Sequence, residues 1–290
     1  MNNYLIDMHC HTTVSDGTVT PRDIVHIAKE SGLKAIAITD HDTIDGIDEA
    51  MKEGEKLGVE IIAGIEFASM YDENTEQEIH ILGFLIDCKN DELNKNLEFI
   101  QGARDRRNVK MIENLRKIGI DITMEDVEKS AGGDILTRAH FAKVLEEKGY
   151  VKTKNEAFSY YLNAGKPAYI RREFLTPKTC IEAINKASGL AFLAHPTLYK
   201  MSYEQIEKLL KELKGYGLCG VEAEYSTYTP EQEKNIKKIA NKLGLLISGG
   251  SDFHGENRSD TKLGVGKGNL KISYDYLQKM KDYKNSRDMA

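Results

Sequence analysis

The sequence is short of cysteine, has no apolar run of bilayer length and carries no excess of positive charge. Its 4 cysteines, Cys10, Cys88, Cys180 and Cys219, are scattered without Cys-x-x-Cys spacing, which argues against a zinc knuckle and a disulfide framework. Without about 18 consecutive apolar residues there is no candidate membrane-spanning helix. Met1-Asn2-Asn3 leads directly into strand-like sequence, with no basic region followed by a cleavable apolar segment, so a cytoplasmic location without a membrane partner is expected. A net charge of -6 disfavours broad electrostatic binding to nucleic acid, while leaving room for a nucleotide held in a local positive site. No solenoid-type repeat or low-complexity segment is present.

What is there is a globular composition, 40% hydrophobic and 30% charged, over 290 residues. That length suits one large α/β domain or a domain with an insertion. The chain repeats one pattern. Tyr4, Leu5, Ile6 and Met8 read as a short buried strand, and His9 and His11 differ by two, so both imidazoles leave one face of it. Pro21 to Ser31 reads as an amphipathic helix stopped by Gly32, and Lys34 to Thr39 as a strand ending in Asp40-His41-Asp42. A helix from Asp45 to Leu57 precedes a strand from Val59 to Ala63 that leads to Glu66, and Glu78 to Ile86 is a strand carrying His80. In the second half, strands end at His195-Pro196, at Glu224 and, after Leu245 to Ser248, in Ser251-Asp252-Phe253-His254. Helices from Thr176, Tyr203 and Glu231 precede these three strands. About seven strands alternating with helices are most economically arranged as a (β/α) barrel, whose chemistry sits at the C-terminal strand ends.

Between Asp87 and Gly165 the pattern breaks. Asp91 to Ile118, Met124 to Ser130, Arg138 to Lys148 and Asn155 to Asn163 all read as helices without an intervening strand. The expected organisation is a barrel from residues 1–87 and 166–290 with a helical insertion or cap from 88–165. The cap carries Arg104, Arg106, Arg107, Lys110 and Arg116, then Thr137-Arg138-Ala139-His140, and the chain leaves it through Lys166-Pro167-Ala168-Tyr169-Ile170-Arg171-Arg172. Arg104, Arg106 and Arg116 read as a solvated helix face paired with acids such as Asp105 and Glu113. Gly264-Val265-Gly266-Lys267-Gly268 lacks the spacing and context of a phosphate loop and reads as a plain loop, with a final helix from Tyr274.

Six of the 8 histidines lie in strands or at strand ends beside carboxylates: His9, His11, His41, His80, His195 and His254. With Asp16, Glu66 and Asp252 they make nine candidate ligands, more than one ion can use. Mixed imidazole and carboxylate suits manganese, zinc or iron, and Glu66 is the natural bridge. Several divalent ions against three carboxylates leave an excess of positive charge, which suits a phosphate substrate.

His9-Cys10-His11, Ser15-Asp16-Gly17, Thr39-Asp40-His41-Asp42, Gly64-Ile65-Glu66, His80, Ala194-His195-Pro196 and Ser251-Asp252-Phe253-His254 together resemble the polymerase and histidinol phosphatase (PHP) superfamily of metal-dependent phosphoesterases. The resemblance implies a distorted seven-stranded, TIM-like (β/α) barrel with three divalent metal ions, Mn²⁺ first and Zn²⁺ or Fe²⁺ as alternatives. It also implies His9, His11, Glu66 and Asp252 at the first ion, Glu66, His80 and His195 at the second, and Asp16, His41 and His254 at the third. Arg138-Ala139-His140-Phe141 and Lys166-Pro167-Ala168-Tyr169 resemble segments of the 3′,5′-nucleoside bisphosphate phosphatases, some of which also act as 5′ to 3′ exonucleases on short RNA. The expected reaction is removal of the 3′-phosphate by a hydroxide bridging two metals, without an amino-acid nucleophile. Arg138 and His140, with Arg107, Lys166 or Arg171, would clamp the phosphate that is kept. An exonuclease on short oligoribonucleotides and a histidinol-phosphate-type phosphomonoesterase are the alternatives. An amidohydrolase is disfavoured by the lack of a lysine near Ile79 to Phe84, and a non-catalytic binding module by the complete ligand set.

Overall fold

In the computed structural model, which describes residues 5–131, 136–171 and 173–289, the apolar runs become strands and the amphipathic segments helices. In chain order the elements are β1 (Ile6–Cys10), α1 (Pro21–Glu30), β2 (Ala35–Ile38), α2 (Ile47–Leu57), β3 (Glu60–Asp72), β4 (Gln77–Phe84), α3 (Asp91–Lys117), α4 (Met124–Ala131) and α5 (Arg138–Glu147). There follow α6 (Lys154–Ala157), which runs into a π-helical turn (Phe158–Leu162), α7 (Pro177–Lys186), β5 (Leu190–Leu193), α8 (Tyr203–Gly215), β6 (Gly220–Tyr225), α9 (Pro230–Leu243), β7 (Leu246–Gly250) and α10 (Tyr274–Asp288). Tyr4, expected in the first strand, and Arg172, in the basic exit segment, lie outside the described residues. Thr20, Thr176, Ser202 and Thr229 cap α1, α7, α8 and α9 by accepting from a backbone N–H three residues on, and proline takes the first position of α1, α7 and α9.

The seven strands form one sheet in the order β1 to β7. Two features depart from the expected pattern. β3 does not stop at Ala63 but runs to Asp72, so Glu66 lies inside a strand opposite Leu82. β4 is antiparallel to both β3 and β5, because the four-residue turn 73–76 is too short to hold a crossover helix. An antiparallel strand starts where its parallel neighbours end, which is why His80, early in β4, sits level with residues at the far ends of the other strands. The barrel nearly closes where β1 meets the end of β7: Asp252 N donates to His9 O and His11 N to Phe253 O, both at 2.9 Å. A Cβ on Gly250 would lie 2.2 Å from that of His9, so this approach requires glycine.

Alternation along each strand divides the core. Ala35, Ala37, Phe192 and Ala194 share one buried cluster, in which Phe84 and Phe192 pack edge-on with centroids 5.1 Å apart, while Ile36, Ile38, Ala191 and Leu193 belong to the cluster packed under the helices. α10 closes the end opposite the site. Leu277 and Met280 enter the inner cluster, Tyr274 and Lys281 bind Glu60 at the start of β3, and Lys284 and Arg287 bind the carbonyls of Ser188 and Gly189 just before β5.

Among the described residues no strand lies between β4 and β5; the helices there build a second core from residues such as Met111, Leu115, Ile122, Phe141 and Leu145. α3 belongs to both cores. Leu93, Leu97 and Ile100 pack on the barrel, and Met111, Ile112 and Leu115 in the second core. Between them the same buried stripe carries Arg104, Arg107 and Asn108. The expectation that Arg104 lies on a solvated face is therefore corrected: at four residues from Ile100 it faces inward, where it pairs with buried Asp42, while Arg106 is exposed and pairs with Glu173 at 2.7 Å.

Candidate metal centre

Glu66 is the hub. Its Oε2 lies 3.2 Å from His9 Nε2, His11 Nε2 and His41 Nδ1, and its Oε1 2.8 Å from His80 Nδ1 and 3.1 Å from His195 Nε2. Five strands, β1 to β5, thus deliver an imidazole or the carboxylate itself to one point. The end of β7 adds Asp252, whose Oδ1 is 3.2 Å from His11 Nε2 and 3.3 Å from His254 Nδ1, and the loop after β1 adds Asp16, 3.3 Å from His254 Nε2. All nine residues expected from the sequence are brought together. Three overlapping groups have ligand atoms within 4.8 Å of one another: His9, His11, Glu66 and Asp252; His41, Glu66 and His80; and His11, Asp16, His41 and His254. The first is the expected set; in the others His41 joins Glu66 and His80 and His11 joins Asp16, while His195, outside these groups, meets Glu66 through Nε2 and packs its ring against His9 and His80.

The donor chemistry fits cations. Buried nitrogens of His9 (Nε2), His11 (Nδ1 and Nε2), His41 (Nδ1) and His195 (Nδ1) have no hydrogen-bond partner among the described residues, an arrangement that costs free energy unless something else supplies one. Charge is equally frustrated without an ion. Burial opposes ionisation of Glu66, yet His9, His41 and His80 hold its carboxyl well below the usual range. Burial likewise opposes a charged His11, yet contacts with Asp252 and Glu66 raise it to about 9; at His41 burial prevails and lowers it to about 3. A divalent cation among these groups would take the place of those protons.

Further side chains hold the residues of this cluster, and sequence reasoning did not single them out. Asp40 accepts from Thr12 N, Thr12 Oγ1 and Ser15 Oγ, fixing the loop that presents Asp16. Asp7 accepts from Ser251 and from Gly264 N, tying β1 to the segment that bears Asp252; this gives the glycine-rich loop a structural task. Tyr225 and Arg258 both donate to Asp252 Oδ2, and Glu222 accepts from His9 and His195. The available signal was alternation: Glu222 is two residues from Glu224 on a strand otherwise apolar up to Tyr225.

A cavity of about 220 Å³ opens over the cluster. Asp16, His41 and His80 form its barrel side, and Arg104, Arg107 and Arg138 its cap side, with Phe158 and Tyr169 flanking. Arg138 lies 3.9 Å from Glu78 and 6.0 Å from the Tyr169 ring centroid. Arg107 donates to Asn108 Oδ1 and to Leu136 O. The other expected phosphate contacts are placed differently. His140 is buried behind the cavity wall, where its Nδ1 accepts from Thr137 N; burial lowers it to about 4. Lys166 is exposed on a turn before Ala168, the residue that anchors the chain in the second core. Arg171 lies 3.7 Å from Glu73 and lines a neighbouring cavity with Phe99 and Phe174, because the chain has already left the cap there. Neither Lys166 nor Arg171 lines the cavity over the metal-type cluster.

Comparison with known proteins agrees with this geometry. The sequence profile of the PHP domain matches residues 7–216. A 5′-3′ exoribonuclease of Haemophilus influenzae is 36% identical over 248 residues, covering 86% of this chain and 89% of that protein. A 3′,5′-nucleoside bisphosphate phosphatase of Chromobacterium violaceum is 29% identical over 260 residues, covering 89% and 90%. A crystal structure from Bifidobacterium adolescentis, described as a metal-dependent phosphoesterase, superposes with a TM-score of 0.82 at 32% identity, covering 95% of this chain and 94% of that one. With its distorted seven-stranded barrel and its cluster of histidines and acids around Glu66, the chain belongs to the PHP-domain family and is a phosphoesterase of that family.

Proposed function

We propose that the protein hydrolyses the phosphoester at the 3′ position of a nucleotide that also carries a 5′-phosphate, with nucleoside 3′,5′-bisphosphate as the substrate. The observation that supports this most is the two-sided cavity: three metal-type ligands on one wall and three arginines on the other, enclosing about 220 Å³. That is below the usual range of about 300–1,000 Å³ for ligand pockets and suits one nucleotide end.

His9, His11, Glu66 and Asp252 would hold one divalent ion, Glu66, His80 and His195 a second, and Asp16, His41 and His254 a third. Such ions, when bound, lower the pKa of water and offset charge on phosphoryl oxygens. The chain's own residues do the rest. Arg138 and Arg107 hold the phosphate that is kept, since guanidinium binds phosphate through paired hydrogen bonds. His140, uncharged near neutral pH, caps the start of α5 and so fixes Arg138, its first residue. The cap covers the cluster and limits access of bulk water. In the overall reaction one water adds to phosphorus, the bond to the 3′ oxygen breaks, and that oxygen leaves with a proton, giving a nucleoside 5′-monophosphate and phosphate.

A second reading rests on a specific observation: the exoribonuclease relative is more similar, at 36% identity, than the bisphosphate phosphatase, at 29%. A 5′-phosphorylated RNA end presents the same two groups, a 5′-phosphate to hold and a 3′ phosphoester to break. The deciding experiment is product release by Mn²⁺-loaded protein from adenosine 3′,5′-bisphosphate, histidinol phosphate and a 5′-phosphorylated oligoribonucleotide, with His9→Ala as control. Preference for the bisphosphate, abolished in the control, is expected. Turnover of the oligoribonucleotide alone would select the second reading, and turnover of histidinol phosphate alone would overturn both.

A further inference from the structure

Glu222 is a carboxylate buried to 1% exposure on β6, paired with His9 and with no lysine or arginine partner among the described residues. An ionised carboxylate in such a place needs hydrogen bonds to offset its desolvation. It has two, and both come from residues of the metal-type cluster. Oε1 lies 3.0 Å from His9 Nδ1, and Oε2 accepts from the backbone N–H of His195 at 2.8 Å. The second contact falls on a strained residue. His195 has φ 25° and ψ 55°, a left-handed conformation that a side chain other than glycine's adopts only when its surroundings impose it. With its backbone turned this way and its N–H fixed, His195 places Nε2 3.1 Å from Glu66 Oε1.

We propose that Glu222 is the positioning residue of the centre, holding His9 in the Nδ1–H tautomer and His195 in its strained backbone so that both rings turn a ligating nitrogen toward Glu66. This rests on the reading of the cluster as a metal centre. The logic is one of donors and acceptors. The His195 N–H can only donate, and His9 can ligate through Nε2 only if its proton is on Nδ1, where it also donates. The two donors meet different oxygens of Glu222, Oε1 and Oε2. A carboxylate supplies both and an amide supplies one. In Glu222→Gln, if the amide oxygen serves His195, the NH₂ faces His9 Nδ1 and drives the proton to Nε2, closing the ligating atom. If the amide turns over, two N–H groups collide at His195. A near-isosteric change that any packing role would tolerate therefore disables the site.

The test measures zinc affinity of metal-free protein by chelator competition, for the wild type, Glu222→Gln and Glu222→Ala, together with long-range ¹H–¹⁵N spectra of the histidine rings with and without Zn²⁺. Circular dichroism checks that each variant is folded, and if the alanine variant is not, the glutamine variant carries the comparison. The expected result is a loss of about 10–100-fold in affinity for the tightest site in Glu222→Gln. The His9 proton should sit on Nδ1 in the zinc-loaded wild type and on Nε2 in the glutamine variant. Affinity within about threefold of wild type in Glu222→Gln, with the proton still on Nδ1, would overturn the assignment while leaving the metal reading in place; the threshold corresponds to about 0.6 kcal/mol. No response of His9 to zinc in the wild type would overturn both.

Discussion

The two walls of the cavity are built differently. On the barrel side, the polar residues are delivered by strands or the loops that follow them, and several are held by a further side chain: Asp40 behind the Asp16 loop, Glu222 behind His9, Tyr225 and Arg258 behind Asp252. On the cap side, Arg104 and Arg107 come from α3, which rests on the barrel through its first turns and enters a separate hydrophobic core through its last, and Arg138 comes from α5, which packs in that separate core. The difference suggests a division of labour, with chemistry on the strands, where positions are fixed to fractions of an ångström, and selection on the helices, which can vary without disturbing it.

The largest expected effect comes from removing the hub. Glu66→Ala should lower turnover of every phosphoester by about a hundredfold to a thousandfold or more, the scale of losing one strong electrostatic group from an active site, and should abolish tight metal binding. Steady-state rates on a bisphosphate and on a small aryl phosphate check it; loss on one substrate alone would break the comparison.

Arg138→Ala should act on the other wall only. Losing charged hydrogen bonds of about 1.5–3 kcal/mol should cost about 10–100-fold in kcat/KM for the bisphosphate and little for the aryl phosphate. Metal removal should be felt by the barrel. At a hundred times Kd a bound ion adds about 2.7 kcal/mol, so chelation should lower the melting temperature by about 5–10 °C, and excess Mn²⁺ should restore it. A last effect sits within the cap. His140 is held at about 4 in the folded protein by burial, below its unfolded value. The unfolded chain therefore takes up the proton first as pH falls below about 6.5, and the folded state loses up to about 2–3 kcal/mol by pH 4. Wild type should lose that much more stability than His140→Gln between pH 7 and 4.5 in denaturant titrations; parallel curves would show that His140 is not held neutral.

The barrel wall was readable because strand periodicity and strand ends are local signals. His9 and His11 on one face follow from a spacing of two, and the seven strands from apolar runs between helix stops. What was not readable depended on chain direction and distance. That β4 runs antiparallel is set by the four-residue turn 73–76, and only then does His80 fall level with the other residues of the cluster. Glu222 looks like any acid on a strand until the ends of β1 and β5 bring His9 and His195 to it. On the cap the signal existed and was outweighed by composition: Arg104 continues the stripe Leu93, Leu97, Ile100 at helical spacing, but a run of arginines reads as a solvated face. Lys166 and Arg171 show the opposite case, cations near the right segment whose placement depends on where the chain leaves the second core.

The most direct test is one crossed measurement: kcat/KM of Mn²⁺-loaded wild type, Glu66→Ala and Arg138→Ala on adenosine 3′,5′-bisphosphate and on an aryl phosphate. Loss on both substrates is expected for Glu66→Ala, and selective loss on the bisphosphate for Arg138→Ala. Equal losses on both substrates for Arg138→Ala would contradict that division of labour.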